Sequence, residues 1–550
     1  MFRYIKNLYL QFKKIYQIRK QLKLIHHELP THQSIDDLIP EFKKLKTMIF
    51  NCGSLYVKFL QWYISKLKSN VINVNTLEMQ NTTKFMAYFE DIFENCPFHS
   101  IESTKDIFEN SMLGIKLEDY IDITTLKEIA SGSIGQVYYA CRKSDGIEIA
   151  IKVKHPDIAM DLENQIELIK VLKYLQSFNY IKKKYNLIFN IDDFMHDILQ
   201  QCNFCIEANN NKQFQDNFKD SKDFIIFPDI YFQSEDVLIT QYIPGVSIDT
   251  LTDIQKYHTT LNFVCFFNQM LLVDNFIHGD LHCKNWKVRL LPNGKPQLII
   301  YDCGICFKNI NLEITTDFWF SLAKYDVQKL KITLKKFITI NNINTNTIMD
   351  ATVITNIDNE IDKLFTTILN DSLGVALLLK TIIHYFTNHN ISIHKFLLNF
   401  CILMCVIEEF FKKNDIINRN SKHLQSVNMF DIINDEQLDI ISFCTVNKCY
   451  PKVLILFQKE LENKYQAYKL NLQKNNINNN TNNIINNNTN NIINNNTNNI
   501  IKPNTENLTA TATIEDNIEQ INTQQIPQIP QIPQLFNTLK LSGLIFRSPE

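Results

Sequence analysis

The fold is decided by Phe276-Ile277-His278-Gly279-Asp280-Leu281-His282-Cys283-Lys284-Asn285, followed by a hydrophobic strand that ends in Tyr301-Asp302-Cys303-Gly304. Asp280 is placed like a base that takes a hydroxyl proton. We expect His278, two residues earlier, to pack inward and to bond backbone groups as a structural histidine. Asn285 and Asp302 are placed like two oxygen ligands of Mg²⁺, a hard cation that prefers oxygen. A hairpin is predicted at 286–291 and 297–301, so these two residues lie at its two ends and face one metal site.

Three short strands with turns between them are predicted upstream of this segment. A small-residue turn, Ser131-Gly132-Ser133-Ile134-Gly135, separates the first two, and the strands cover Leu126–Ala130, Gln136–Cys141 and Ile147–Val153. Together with the later Asp, Asn and Asp spacing, they predict an α+β, bilobal protein-kinase-like fold. We expect this fold to carry a helical N-terminal extension and a disordered C-terminal tail.

Several residues are candidates for binding a nucleotide. Lys152 lies at the end of a central strand, where an ammonium can reach the α and β phosphates, and we assign it a catalytic role together with Asp280. Glu207, on a later helix, is the natural carboxylate partner of this lysine, although an isolated lysine of this kind can also be a snorkelling edge residue. The predicted nucleotide-binding residues are Ser131, Gly132, Ser133, Gly135, Lys152, Glu207, Gln241 and Tyr242.

Five regions are predicted along the chain. They are a helical N-terminal extension (1–110), an N-lobe with inserted helices (111–245), a helical C-lobe (246–415), C-terminal helices (416–470) and a low-complexity tail (471–550). Within them we expect long helices at about 157–180 and 191–218, an edge strand at 225–232 interrupted by Pro228, and a hinge at Pro244-Gly245. The Asn-rich tail cannot bury enough apolar surface to offset its ordering entropy.

Composition limits the function classes. A net charge of −2 over 550 residues gives no electrostatic case for nucleic-acid binding. The 13 scattered cysteines and the absence of a visible secretory signal indicate an intracellular, reducing compartment. Two Cys-x-x-Cys pairs, Cys202/Cys205 and Cys303/Cys306, allow a shared metal, but free cysteines more often act as small buried apolar residues.

The N-terminus is basic and amphipathic. Its first 25 residues contain seven Lys or Arg and no acidic residue. Such a helix suits peripheral contact with an anionic membrane or a mitochondrial transit signal, and an ordinary helix with a solvated basic face is the alternative. No apolar run reaches the length of a membrane span, and the best one, Phe396 to Ile407, indicates a buried helix.

Two positions near Asp280 bear on the substrate. Gly279 stands where regulated protein kinases carry an arginine that would clasp a phosphorylated loop. His282 stands where serine/threonine kinases carry a lysine, and no Ala-Pro-Glu segment follows Asp302. These features favour a substrate other than protein.

The chain resembles the UbiB (aarF-domain, ADCK-type) family of atypical kinases over about residues 50 to 410. The resemblance rests on Ser133-Ile134-Gly135-Gln136-Val137-Tyr138, on Lys152-Val153-Lys154-His155-Pro156 and on Glu207-Ala208-Asn209-Asn210. It implies ATP or ADP with Mg²⁺ as cofactors, held by Lys152, Glu207, Asp280, Asn285 and Asp302. It also implies a lipid or isoprenoid-like partner and a role near coenzyme Q metabolism.

The chain departs from the family pattern at four places. The Lys-x-Gly-Gln segment is Lys58-Phe59-Leu60-Gln61, and the Glu-x-Asp pair is Gln201-Cys202-Asn203. In the family, the Lys-x-Gly-Gln segment lies on a helix that covers the active site. Lys58 lacks the two charged partners that the family's Glu-x-Asp pair would supply, which puts this covering helix in doubt. Gly132 lies in the family's alanine-rich loop, and Cys303 replaces the phenylalanine of Asp-Phe-Gly.

Three functions are compatible with these sequence features. The first is an atypical kinase or ATPase of the UbiB type, in which a helix carrying Lys58 packs across the pocket. The second is a small-molecule phosphotransferase resembling aminoglycoside or choline kinases, with an open pocket. The third is a nucleotide-binding scaffold without turnover.

Overall fold

The computed structural model describes most of the chain between residues 95 and 323 and parts of its flanks. The described residues are 2–28, 35–54, 56–58, 60–61, 88–89, 92, 95–156, 158, 191–282, 284–308, 311–323, 326, 328–336, 359, 379, 382, 396–397, 399–400, 403–404, 437–459, 462 and 466. The predicted tail and, apart from Ile158, the predicted helix at 157–180 lie outside them.

Runs of helices and runs of strands follow one another in an α+β order. The α-helices with defined bounds are α1 (Phe2–Glu28), α2 (Ile39–Phe50), α3 (Ile101–Ser111), α4 (Leu117–Tyr120), α5 (Ile191–Gln201), α6 (Phe204–Asn217), α7 (Asp253–Asn268), α8 (Leu312–Ala323) and α9 (Gln437–Asn447). The strands are β1 (Ile121–Ser131), β2 (Gly135–Arg142), β3 (Glu148–Lys154), β4 (Ile225–Ile226), β5 (Ile230–Gln233), β6 (Val237–Gln241), β7 (Ile277–His278), β8 (Trp286–Leu290), β9 (Pro296–Ile300) and β10 (Cys306–Phe307).

The N-lobe is built on a five-stranded antiparallel sheet in the order β1-β2-β3-β6-β5. Alternation along β3 buries Ile149, Ile151 and Val153, which pack in one core with Phe108 of α3. Burial of each such side chain contributes roughly 1.5–3 kcal/mol. Because successive side chains point to opposite faces of a strand, the same alternation turns Lys152 away from this core.

The C-lobe places a small sheet against a buried helix. Strands β8 and β9 form the predicted hairpin, whose turn uses Gly294 at φ 76°. Helix α7 contacts β9 and is buried at every residue from Thr259 to Asn268. The Tyr301 N–H donates to the Asn285 carbonyl at 3.0 Å, so the two ends of the hairpin are held together.

The predicted edge strand at 225–232 is wrong as a single element. Residues on the two sides of Pro228 belong to different sheets: β4 pairs in parallel with β9, and β5 pairs with β6. Proline cannot continue a ladder, because it has no N–H to donate, and here the chain leaves one sheet and enters the other. The predicted helix at 191–218 is likewise two helices, α5 and α6.

The described part of the N-terminal extension is mostly helical and packs on itself, but residues 95–100 form no helix. Helices α1 and α2 share a core of Ile25, Leu38, Phe42, Leu45 and Ile49, which also includes Leu60, Phe89 and Ile92. None of the helices searched within the described residues is long and apolar enough to cross a membrane. Phe396, Phe400 and Leu403 are buried and helical, as predicted for this apolar run.

Candidate active site

Lys152 lies at the centre of a network of three charged groups. Its Nζ is 2.7 Å from Glu207 Oε2 and 2.9 Å from Asp302 Oδ2. Burial works against the charged form of the lysine, but the carboxylates of Asp302 and Glu207 outweigh it and raise the pKa of Lys152. The lysine is therefore a fixed cation between the two lobes.

Glu207 is held in place by the start of α6. Asn203 caps this helix by accepting the Cys205 N–H at 3.0 Å, which fixes the first turn that carries Glu207. The Glu207 side chain is only 6% exposed. Burial, together with the Asp302 carboxylate, raises the pKa of Glu207 to about 7, although the Lys152 ammonium acts in the opposite direction.

Asp302 lies directly after the C-lobe hairpin. Its Oδ1 accepts the Gly304 N–H at 2.8 Å while Oδ2 contacts Lys152. Burial alone would raise the pKa of this carboxyl, but the Lys152 ammonium, the Gly304 N–H and the charge of Lys58 hold it well below its usual range. Asn210 of α6 donates to the Cys303 carbonyl at 2.9 Å and so ties the loop to the helix of Glu207.

His278 joins the catalytic segment to the Asp302 loop. It is fully buried, its Nε2 donates to the Asp302 carbonyl at 2.5 Å, and its Nδ1 accepts the Asp280 N–H at 3.1 Å. Burial lowers its pKa, which matches a neutral ring with one donor and one acceptor nitrogen. The prediction of an inward-facing structural histidine is confirmed.

Asp280 and Asn285 lie on the same segment and face the same cavity. Asn285 Nδ2 donates to the Asp280 carbonyl at 2.8 Å, which leaves its Oδ1 as the oxygen that can bind a cation. His282 Nε2 lies 3.7 Å from Asp280 Oδ2. A Cβ at Gly279 would be 2.8 Å from Ile305 Cγ2, so the packing leaves no space for the arginine of regulated kinases.

The small-residue turn closes on itself above the lysine. The Gly132 N–H donates to the Gly135 carbonyl at 2.9 Å, which makes a compact loop between β1 and β2. A Cβ at Gly135 would lie 2.6 Å from the Val153 carbonyl oxygen, so glycine is required for this close approach of two strands.

One cavity brings most of the predicted residues together. Its lining includes Gly132, Ser133, Gly135, Lys152, Glu207, Asp280, Asn285 and Asp302.

Three predicted nucleotide-binding residues are described but do not belong to this lining. The Ser131 hydroxyl donates to the Pro97 carbonyl at 3.3 Å, on the side of the preceding segment. Gln241 and Tyr242 donate backbone N–H groups to Asp229 and Glu148 and extend the sheet. Gln241 ends β6, an inner strand of the sheet, and Tyr242 follows it directly.

The lining also contains residues outside the predicted set: Lys58, Gln61, Ile134, Gln201, His282 and Gly304. Lys58 and Gln61 come from the N-terminal extension, so this segment covers the cavity. The match of residues 58–61 to the family's Lys-x-Gly-Gln spacing indicates both residues from the sequence alone. Asn203, which aligns with the second carboxylate of the family's Glu-x-Asp pair, caps α6.

The donor set fits Mg²⁺ and a nucleotide. Asp302 offers an ionised carboxylate and Asn285 an amide oxygen, while Lys152 and the glycine-rich loop suit phosphate. No group of three or more His, Cys, Asp or Glu side chains arranged for a metal is present in the described part of the chain. The four cysteines at 202, 205, 303 and 306 are free thiols.

The comparisons with known proteins agree with this geometry. A family model described as "ABC1 atypical kinase-like domain" matches residues 91–334. This match confirms the predicted kinase-like fold class. The matched region contains the glycine-rich loop and all three members of the Lys152, Glu207 and Asp302 network.

Curated relatives are similar to the chain over the same region. A probable protein kinase UbiB of Pectobacterium carotovorum is 31% identical over 280 residues, 48% of each chain. A probable serine/threonine-protein kinase abkC of Dictyostelium discoideum is 29% identical over 250 residues, 44% of this chain and 34% of the relative. A putative ABC1 protein of Arabidopsis thaliana is 24% identical over 311 residues, 52% of this chain and 55% of the relative. The chain thus spans about a third to about half of these relatives.

Proposed function

Because the chain belongs to the ABC1 family of atypical kinases, which includes UbiB, we propose that it is a Mg-ATP-dependent phosphotransferase or ATPase. One observation carries the proposal. The Lys152 ammonium bridges the Glu207 and Asp302 carboxylates in the cavity that Asp280 and Asn285 also line. An ion pair with a purely structural role would not need Asp280 or Asn285 in the same cavity.

Each residue has a role in this proposal. Lys152 binds the α and β phosphates, and Glu207 keeps it oriented. Asp302 and Asn285 hold Mg²⁺, which when bound neutralises charge on the phosphate oxygens. Asp280 accepts the proton of an acceptor hydroxyl or orients water, a role that typically contributes 10²–10⁴-fold in rate, as an order of magnitude.

The covered cavity favours an ABC1-type enzyme over an open small-molecule phosphotransferase. Lys58 and Gln61 line the cavity, and the Gln61 amide donates to the Ile92 carbonyl at 3.1 Å, which anchors the covering segment. We place the activity in or near lipid or quinone metabolism, a substrate class that rests on the family resemblance.

ATP hydrolysis by the full chain tests the proposal. Wild type should hydrolyse ATP only with Mg²⁺, and Asp280→Asn should lose roughly 10²-fold or more of this rate while it still binds Mg-ADP. Asp302→Asn should lose Mg-dependent binding. Asp317→Asn, a surface carboxylate paired with Lys329, is the matched control and should behave as wild type.

If wild type and Asp280→Asn bind Mg-ADP equally and neither turns ATP over, the chain is a nucleotide-binding scaffold. Normal Mg-ADP binding by Asp302→Asn would refute the metal assignment. Stimulation of hydrolysis by quinone-like phenols or lipid vesicles would support the substrate class.

We also propose that α1 makes peripheral contact with an anionic membrane surface. Tyr9 and Tyr16 on this helix are 66% and 67% exposed, among exposed lysines that include Lys13 and Lys20. Exposed aromatic side chains among cations suit the headgroup region of anionic lipid. Co-sedimentation with phosphatidylserine vesicles should therefore fall strongly in Lys13→Glu/Lys20→Glu, and equal binding of wild type to pure phosphatidylcholine would refute the charge argument.

A further inference from the structure

The glycine-rich loop is held from outside the cavity by the segment that precedes it. Asn95 forms a parallel bridge with Ser131, the Cys96 N–H donates to the Ser131 carbonyl at 2.8 Å, and the Ser131 hydroxyl donates to Pro97. These contacts cover the free edge of β1 where it enters the loop. They fix the start of the loop but not its tip.

His155, directly after β3, holds the tip. Its backbone N–H donates to the Ile134 carbonyl at 2.9 Å, and its Nε2 lies 3.0 Å from the Gly132 carbonyl. A carbonyl only accepts, so Nε2 carries the proton. Burial lowers the pKa of His155, so the ring is neutral and Nδ1 is left as an acceptor.

His99 supplies the donor that His155 requires. The two Nδ1 atoms are 2.8 Å apart, so His99 Nδ1 carries a proton and its Nε2 accepts from the Thr104 hydroxyl at 2.9 Å. Thr104 in turn lies 2.7 Å from the Tyr138 hydroxyl. Burial lowers the pKa of His99 to about 4, which matches the neutral ring that this chain of bonds needs.

We propose that His155 and His99 are positioning residues that hold the glycine-rich loop in its phosphate-binding conformation before the nucleotide arrives. The bonds run in one direction, from Tyr138 through Thr104 and His99 to His155 and the Gly132 carbonyl. A loop ordered in advance loses less entropy on binding, so affinity rises without a direct contact to the nucleotide. This role rests on the proposed nucleotide site.

The test compares His155→Leu, His155→Gln, His99→Leu and, as control, His258→Leu in the full chain. His258 is a partly buried histidine that contacts Phe443 in the C-lobe. In His155→Leu we expect Mg-ADP to bind roughly three- to tenfold more weakly, with a raised KM for ATP and an almost unchanged kcat. His155→Gln, which keeps a side-chain donor, should recover most of the affinity.

Hydrogen exchange of the amides at 131–135 in nucleotide-free protein gives a second readout. Exchange should be severalfold faster in His155→Leu and unchanged in His258→Leu. His99→Leu should give a smaller effect, and the double variant should be no worse than His155→Leu alone, because the two rings share one bond. If His155→Leu does not fold, His155→Gln and His99→Leu carry the same comparison.

Unchanged exchange and unchanged Mg-ADP affinity in the folded variants would overturn the proposal. Failure of wild type to bind Mg-ADP would instead refute the proposed function, while the exchange rates would still report whether the histidines hold the loop.

Discussion

Removal of the Lys152 ammonium should destabilise the protein in a pH-dependent way. Lys152→Met leaves Glu207, whose side chain is 6% exposed, without its cation, whereas Asp302 is 39% exposed and can be solvated. The cost therefore arises mainly at Glu207, because an unpaired charge is expensive only where water cannot reach it.

The magnitude follows from the pKa of Glu207. Burial and Asp302 raise it from 4.5 to about 7 even with the lysine present. This difference corresponds to roughly 3 kcal/mol above the folded-state pKa, a cost that wild type already bears. Lys152→Met removes the ammonium that lowers this pKa, so the pKa rises further, and a carboxyl that stays protonated at pH about 8.5 costs the variant about 2 kcal/mol relative to wild type. Because the folded-state pKa lies above the unfolded one, the penalty is absent below the unfolded value and grows as pH rises. At pH about 5.5 Glu207 is mostly protonated in wild type as well, so we expect this group to add less than about 0.5 kcal/mol to the loss.

Urea unfolding followed by the fluorescence of the buried Trp286 and Trp319 measures this effect at pH about 5.5 and about 8.5. Lys154→Met is the matched control on the same strand, because its partner Asp236 is 49% exposed. We expect it to change stability by less than about 1 kcal/mol at both pH values.

A second variant separates charge from packing. Lys152→Met/Glu207→Gln should recover most of the loss at high pH, because no buried charge is left unpaired. A loss that is equal at both pH values, or a double variant no more stable than Lys152→Met, would show that the lysine acts through packing and would refute the electrostatic reasoning.

Three further outcomes test the site. Gly135→Ala should destabilise the protein by about 1–3 kcal/mol in urea unfolding, because its Cβ would lie 2.6 Å from the Val153 carbonyl oxygen. Gly146→Ala is the control: this turn residue has φ 72° and open space around it, so the substitution strains the backbone without a clash and should cost less. Asn210→Ala should weaken Mg-ADP binding several-fold in calorimetry, because the Cys303 carbonyl loses the donor that ties the Asp302 loop to α6, and an unchanged Kd would show that the loop holds itself. Gly279→Arg should lower the Tm rather than create a phosphorylation-sensitive enzyme, because Ile305 and Phe307 fill the space, and a well-folded variant would show that the segment can move.

Local patterns were sufficient for much of the site. Alternation predicted β2, β3 and the β8–β9 hairpin to within one or two residues at their ends, because a half-buried strand must place every second side chain in the core. The hairpin between Asn285 and Asp302 then brings these two residues to one cavity. His278 could be placed because a buried ring next to a loop needs backbone partners.

Other features depend on residues far apart in the chain. No local pattern shows that the strands on the two sides of Pro228 belong to different sheets. Each strand joins the sheet whose edge it meets, and that edge is formed by residues far away in the chain. Of the predicted binding residues, Ser131 and Gln241 lie at the ends of strands and Tyr242 follows one, and none of the three lines the cavity. Their backbone or hydroxyl groups bond neighbouring segments that are distant in the sequence.

The sequence by itself determined the types and order of the charged residues: a strand lysine, a helix glutamate, and the Asp, Asn and Asp of the C-lobe. Only the tertiary structure decided how they pair. Lys152 contacts Asp302 as well as Glu207, although 150 residues separate the first two. Lys58 covers a cavity built mostly from residues far along the chain. Both the ion pairs and the position of Lys58 depend on distances between residues of the two lobes. Core packing fixes those distances, and no local sequence pattern reports how the core packs.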